Sequence, residues 1–213
     1  MKGKKIWEIG GFVAGAVLIV FGAVAIFMGV SGYQTVQDEL NQQAIVGSED
    51  MTPSAIKTAA QEAGLSSDVA LPTCTVAGQT VDTGAEARCF AQYMRIHTLE
   101  ATGGLAYAQM GRYQSAAKPT DPAGTNDETA AAKDTTGQPV SNGARNIWIN
   151  ETALTTALNV SYMAERLAVF GLVVGIALLL SGVGFVILAL AVFGRELAPE
   201  PKRAPVTTQP AAS

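Results

Sequence analysis

Two stretches of this 213-residue chain carry no charged side chain, residues 9–37 and residues 167–194. Each exceeds the roughly 20 apolar residues that a helix needs to cross about 30 Å of hydrocarbon. The pattern predicts two transmembrane helices, over 9–32 and 167–194. A cleaved leader is the competing reading of the first, because Lys2, Lys4 and Lys5 precede it. Leader apolar cores run only about 7–15 residues and end at a small-x-small site. The stretch from Ile9 to Val30 is longer, and Val30-Ser31-Gly32 is a poor site, so an uncleaved anchor is expected.

Between the spans the apolar positions take a helical period. Val30, Tyr33, Val36, Leu40 and Ala44 recur at steps of three and four, extending the first helix from about residue 6 to 46, with Gly47 as its stop. Thr52-Pro53 opens a second helix through Ile56 and Ala60. Thr83-Gly84-Ala85-Glu86 is a capping box for a third, with Phe90, Met94, His97 and Ala101 on one face and Gly103-Gly104 at its end. The last helix is expected from Asn150 as N-cap, its stripe of Leu154, Ala157, Leu158, Ser161 and Tyr162 running into the second span. Leu71–Cys74 and Val76–Gly78 read as extended pieces. Residues 116–143, rich in Ala, Thr, Asp, Pro and Gly, read as a flexible surface loop. The fold class expected is mainly α: an antiparallel transmembrane hairpin carrying a small helical, disulfide-stapled domain between the spans.

Charge orients this arrangement. The segment 33–166 holds eight basic and fifteen acidic residues, net −7, whereas the flanks hold six basic and three acidic. Positive flanks stay in the cytoplasm. The expectation is therefore a plasma-membrane protein with residues 1–8 and a disordered tail, 195–213, inside, and 33–166 outside. Trp7 and Tyr33 suit the two interfaces. The chain has two cysteines, Cys74 and Cys89, both in the outer segment. An oxidising compartment pairs them; two unrelated buried thiols are the alternative.

The spans share a spacing. Gly11, Gly15, Gly22 and Gly29 in the first, and Gly171, Gly175, Gly182 and Ala189 in the second, both follow offsets of 0, 4, 11 and 18. Small residues so spaced form a seam for close helix packing. It serves either a hairpin within one chain or self-association around a pore.

Chemistry is sparse. His97 is the sole histidine, which rules out a 2-His-1-carboxylate iron site. The chain shows no H-E-x-x-H, C-x-x-C, G-x-S-x-G or phosphate-binding glycine loop. Asp121, Asn126, Asp127 and Glu128 lack the alternating spacing of a calcium loop. The outer basic residues are scattered, with no nucleic-acid patch. Cofactor: none.

Several stretches resemble a family of small actinobacterial two-span membrane proteins. They are Asp50-Met51-Thr52-Pro53, Leu71-Pro72-Thr73-Cys74, the run from Cys89 to His97, Glu100-Ala101-Thr102-Gly103-Gly104, Met110-Gly111-Arg112-Tyr113 and the run from Glu151 to Asn159. Proteins of this kind often carry the label aromatic ring-opening dioxygenase, for which this chain lacks the ligands. The resemblance implies an actinobacterial cell membrane and no activity or site residues.

The expected function is a non-enzymatic membrane protein whose outer domain binds or stabilises a membrane-protein partner, as an accessory subunit of a larger complex. Tyr93, Arg95 and Trp148 are the candidate contacts, by residue type and expected exposure. A homo-oligomeric two-span channel is the alternative. An outer-face enzyme using His97 and Glu100 is the second alternative.

Overall fold

The computed structural model describes residues 2–196, with side chains from residue 9 to residue 191. Trp7, the basic side chains Lys2, Lys4, Lys5, Arg195, Lys202 and Arg203, and the tail from residue 197 lie outside those described residues. The chain is mainly helical, in the order α1 (Lys2–Gln43), α2 (Pro53–Glu62), α3 (Gly84–Ala101), a 3-10 turn (Tyr107–Gln109) and α4 (Gly143–Glu196).

The chain divides into two compact units. One comprises 1–28 with 171–213. The two long helices, over Ile9–Gln43 and Gly143–Ala191, are long and apolar enough to cross a membrane, with mean hydropathy 2.6 and 2.7 over their most apolar windows. Only 17% of each window is buried, which separates them from the core helix of a soluble protein. Phe12, Phe21, Phe27, Leu180 and Leu188 stand outward. Glycines bring the two helices into close contact. A Cβ added at Gly15 would lie 2.8 Å from the Gly182 carbonyl oxygen, and one at Gly22 2.8 Å from that of Gly175. Cβ atoms added at Gly175 and Gly182 would press on Ile26 and Ile19, each at 2.8 Å. Ala189 is buried, but Gly11 has open space where its Cβ would be.

The other unit, 29–170, holds the packed core. α1 ends at Gln43 because Ala44 takes the left-handed conformation, φ 50°. Gly47 is not the stop expected of it. It lies in an extended piece bridged to Ala77, where a Cβ would sit 1.9 Å from the Val76 carbonyl oxygen. There the absent side chain serves close backbone approach rather than helix termination.

α2 starts as expected, with Pro53 at its first position and the Ala55 N–H donating to Thr52 Oγ1 at 3.2 Å. α3 opens on the capping box: the Glu86 N–H donates to Thr83 Oγ1, and the Thr83 N–H to Glu86 Oε2 at 3.0 Å. Its buried face, however, is Cys89, Tyr93, Ile96 and Leu99. They pack with Met51, Ile56, Ala60, Val76, Met110 and Trp148. The stripe of Phe90, Met94 and His97 is only half-buried, and Ala101 is exposed.

α4 begins well before Asn150. Its cap is Asn142, whose Oδ1 accepts from the Ala144 N–H at 3.1 Å. The same side chain is buried and donates through Nδ2 to the carbonyls of Gly111 (3.0 Å) and Pro122 (2.9 Å). It thus joins the helix start to the preceding loop. That loop, 116–143, has neither helix nor a named strand before Gly143. Its backbone is nonetheless cross-linked: Tyr113 and Thr125 exchange both hydrogen bonds, and Ala132 and Val140 each have an N–H donated within the network. Asx turns at Asp121, Asp127 and Asp134 close its bends.

Candidate functional site

α3 is the hub of the unit 29–170, and its helical spacing sets what each position does. Cys89, in the second turn, is bonded to Cys74, with Cα atoms 6.1 Å apart across 15 residues. One turn on, Tyr93 is fully buried and its phenol O–H donates to the Cys74 carbonyl at 2.6 Å. Burial pushes that phenol above its ordinary pKa. Two links therefore hold the chain before Cys74 against α3. Trp148 of α4 is also core, 4% exposed, with Nε1–H donating to the Leu105 carbonyl at 2.8 Å.

The exposure expected of Tyr93 and Trp148 is thus corrected. Both aromatic rings fill the core, and both polar atoms are consumed by backbone carbonyls, as buried Tyr and Trp require. Arg95 alone of the three is exposed. Its guanidinium lies 5.4 Å from the centroid of the Trp148 ring, in cation–π range.

α3 borders two of the larger concavities among the described residues. The first is an apolar crevice of 440 Å³ between the end of α1, the outer face of α3 and the first half of α4. Leu40, Ile45, Phe90, Met94, Leu154 and Leu158 line it, with Glu39, Gln43 and Ser161 as its polar members. The three apolar stripes legible in the sequence converge here without filling the space between them. The second is a cleft of 650 Å³ with mixed walls, formed by the segment 68–73 and by Gln92, Arg95 and Leu99 of α3.

His97 forms a separate cluster. Its Nδ1 is 2.9 Å from Glu100 Oε2, the contact their spacing predicts. Its Nε2 is 3.4 Å from Asp50 Oδ2, at ion-pair distance but not aligned as a hydrogen bond. The carboxylates face opposite ring nitrogens, an arrangement that cannot close on one metal ion. Among the described residues no group of three His, Cys, Asp or Glu side chains is placed to hold one. In the acidic loop, Asn126 Oδ1 accepts from the Arg112 N–H, Asp127 from Thr129, and Glu128 from the Tyr113 phenol. Those oxygens close the loop on itself.

No protein-family model, no curated protein and no solved structure matches this chain.

Proposed function

We propose that this chain is an integral membrane protein of two antiparallel spans, and that its outer, disulfide-stapled domain binds a membrane-protein partner. Both termini are then cytoplasmic and the segment 33–166 extracytoplasmic, as the charge distribution and the disulfide favour. The meeting of Gly15 with Gly182 and of Gly22 with Gly175 supports an antiparallel hairpin, since one number rises as the other falls. The outward apolar side chains suit contact with lipid. A plasma membrane of actinobacterial type is what the resemblance implies.

The observation that carries partner binding is the apolar crevice. Six large apolar side chains around 440 Å³ leave an unfilled hydrophobic space beside the core of the unit. Such spaces mark interaction sites on folded proteins. A catalytic reading draws less support, because both ring nitrogens of His97 already face carboxylates.

The test is crosslinking and mild-detergent recovery of tagged protein from its native membrane, comparing the natural chain with Met94→Glu. A stoichiometric partner that the variant loses, while its thermal unfolding midpoint holds, supports the reading. Recovery of a closed ring of this chain alone replaces it with the channel alternative. A solitary chain in both samples removes it.

A further inference from the structure

We propose that the cleft around Arg95 binds a small anionic ligand with an apolar body, a carboxylate or a phosphate ester. This goes beyond the partner reading and does not depend on it. Arg95 is an exposed cation in a segment of net charge −7, yet among the described residues it forms no ion pair. A guanidinium presents planar, paired N–H donors suited to carboxylate and phosphate oxygens. Here its plane is steadied by the Trp148 ring beneath it. Gln92 and Thr73 add uncharged hydrogen-bonding groups to the wall, and Val69, Leu71 and Leu99 supply apolar surface. A few convergent polar groups over an apolar lining is the usual composition of a small-molecule site.

The cleft is also built rather than incidental. Gln92, Arg95 and Leu99 recur at steps of three and four along one edge of α3. The opposite wall, 68–73, is anchored at Cys74 by the disulfide and by the Tyr93 hydrogen bond. Two carboxylates flank Arg95. Asp68 lies at the exposed rim of this cleft, and buried Glu151 lines a smaller hollow of 250 Å³ that shares Gln92 and Arg95 with it. Among the described residues neither forms an ion pair with the guanidinium, which lines both hollows.

Trp148 reports on the site. With two tryptophans in the chain, Trp7→Phe leaves it as the only one. The full-length Trp7→Phe protein in a neutral detergent is titrated with N-acetyl-leucine, isopentyl phosphate and the uncharged N-acetyl-leucinamide, following Trp148 emission. A saturable change with one or both anions, and none with the amide, is expected; which anion binds tighter identifies the chemistry. Arg95→Gln should weaken binding at least about tenfold, and Arg95→Lys should fall between. Ala70→Glu, on an exposed wall position, places a competing carboxylate beside Arg95 and should weaken binding with Arg95 intact. The absence of a saturable response up to tens of millimolar overturns the proposal. So does an equal response to the amide, or unchanged binding in Ala70→Glu together with a folded Arg95→Gln.

Discussion

The backbone N–H of Gly84 donates to the Glu165 carboxylate at 2.7 Å, across 81 residues of chain. Gly84 is the first residue of α3, where N–H groups lack helical partners and the helix dipole favours negative charge. Thr83 and Glu86 satisfy part of that need locally, and α4 supplies the rest. Gly84 also touches α4 directly: a Cβ there would lie 2.7 Å from the Tyr162 Cα and 3.0 Å from the Glu165 Cβ. Beside this contact, Arg88 and Arg166 lie on the Tyr162 ring, at 4.7 and 5.0 Å.

Gly84→Ala must therefore separate α3 from α4. Glu165→Ala removes a buried charged acceptor, costing about 1.5–3 kcal/mol, and Glu165→Gln should recover part of it. Thermal unfolding midpoints in mild detergent check both. Full stability of Gly84→Ala would contradict the described contact.

The disulfide closes a separation of 15 residues, for which the chain-entropy account gives about 3 kcal/mol. Cys74→Ser or Cys89→Ser should lower stability by that order and loosen the segment 68–73 from α3. Mass after alkylation without reductant should be unchanged in the natural chain and should rise after reduction. Labelling before reduction would refute the bond.

The seam glycines are not equivalent. A Cβ at Gly22 would lie 2.7 Å from the Leu179 backbone nitrogen and 2.8 Å from the Gly175 carbonyl oxygen, whereas Gly11 faces open space. Gly22→Leu or Gly182→Leu should force the two helices apart and lower the unfolding midpoint. Gly11→Ala should leave it unchanged or raise it slightly, since Ala favours helix by about 1 kcal/mol. An equal loss from both kinds of substitution would show that lipid contact, not helix packing, governs these positions.

Acid should destabilise the unit 29–170. The Thr136 hydroxyl, with the N–H groups of Gln138 and Thr136, holds the Asp134 carboxyl below its ordinary pKa; the Thr129 hydroxyl and N–H do so for Asp127. Burial alone would raise Glu86, but hydrogen bonds from Thr83 and Asp82 outweigh it and hold it down. A carboxylate depressed in the folded state contributes stability above its unfolded pKa, lost as pH falls through the folded value. Asp82, raised by its contact with Glu86, acts oppositely in the same range. The net expectation is a plateau at neutral pH and a decline below about pH 4, read from unfolding midpoints. Asp134→Asn, which removes a carboxylate held by three hydrogen bonds, should flatten the decline.

Much of the architecture was legible in the sequence because its causes are local. Uncharged runs, the Thr52-Pro53 start and the Thr83–Glu86 box depend on residues within a few positions of one another. The cysteine pairing was legible because the chain holds only two. The core face of α3 was not legible. Cys89, Tyr93, Ile96 and Leu99 share a helix with the equally apolar Phe90 and Met94, and it is distant partners, the disulfide to Cys74 with Met51, α2, Val76, Met110 and Trp148, that cover the first set. The start of α4 is not legible because Asn142 caps it while its amide also binds Gly111 and Pro122, partners 31 and 20 residues away.

The sequence by itself thus determined the two long apolar runs, the starts of α2 and α3 and the disulfide pair. Tertiary structure decided which apolar stripes meet, where they leave a crevice, and that Arg95 alone of the three candidate contacts faces solvent. The physical reason is range. Caps, turns and hydropathy act through neighbouring residues, whereas burial is shared between segments far apart in the chain.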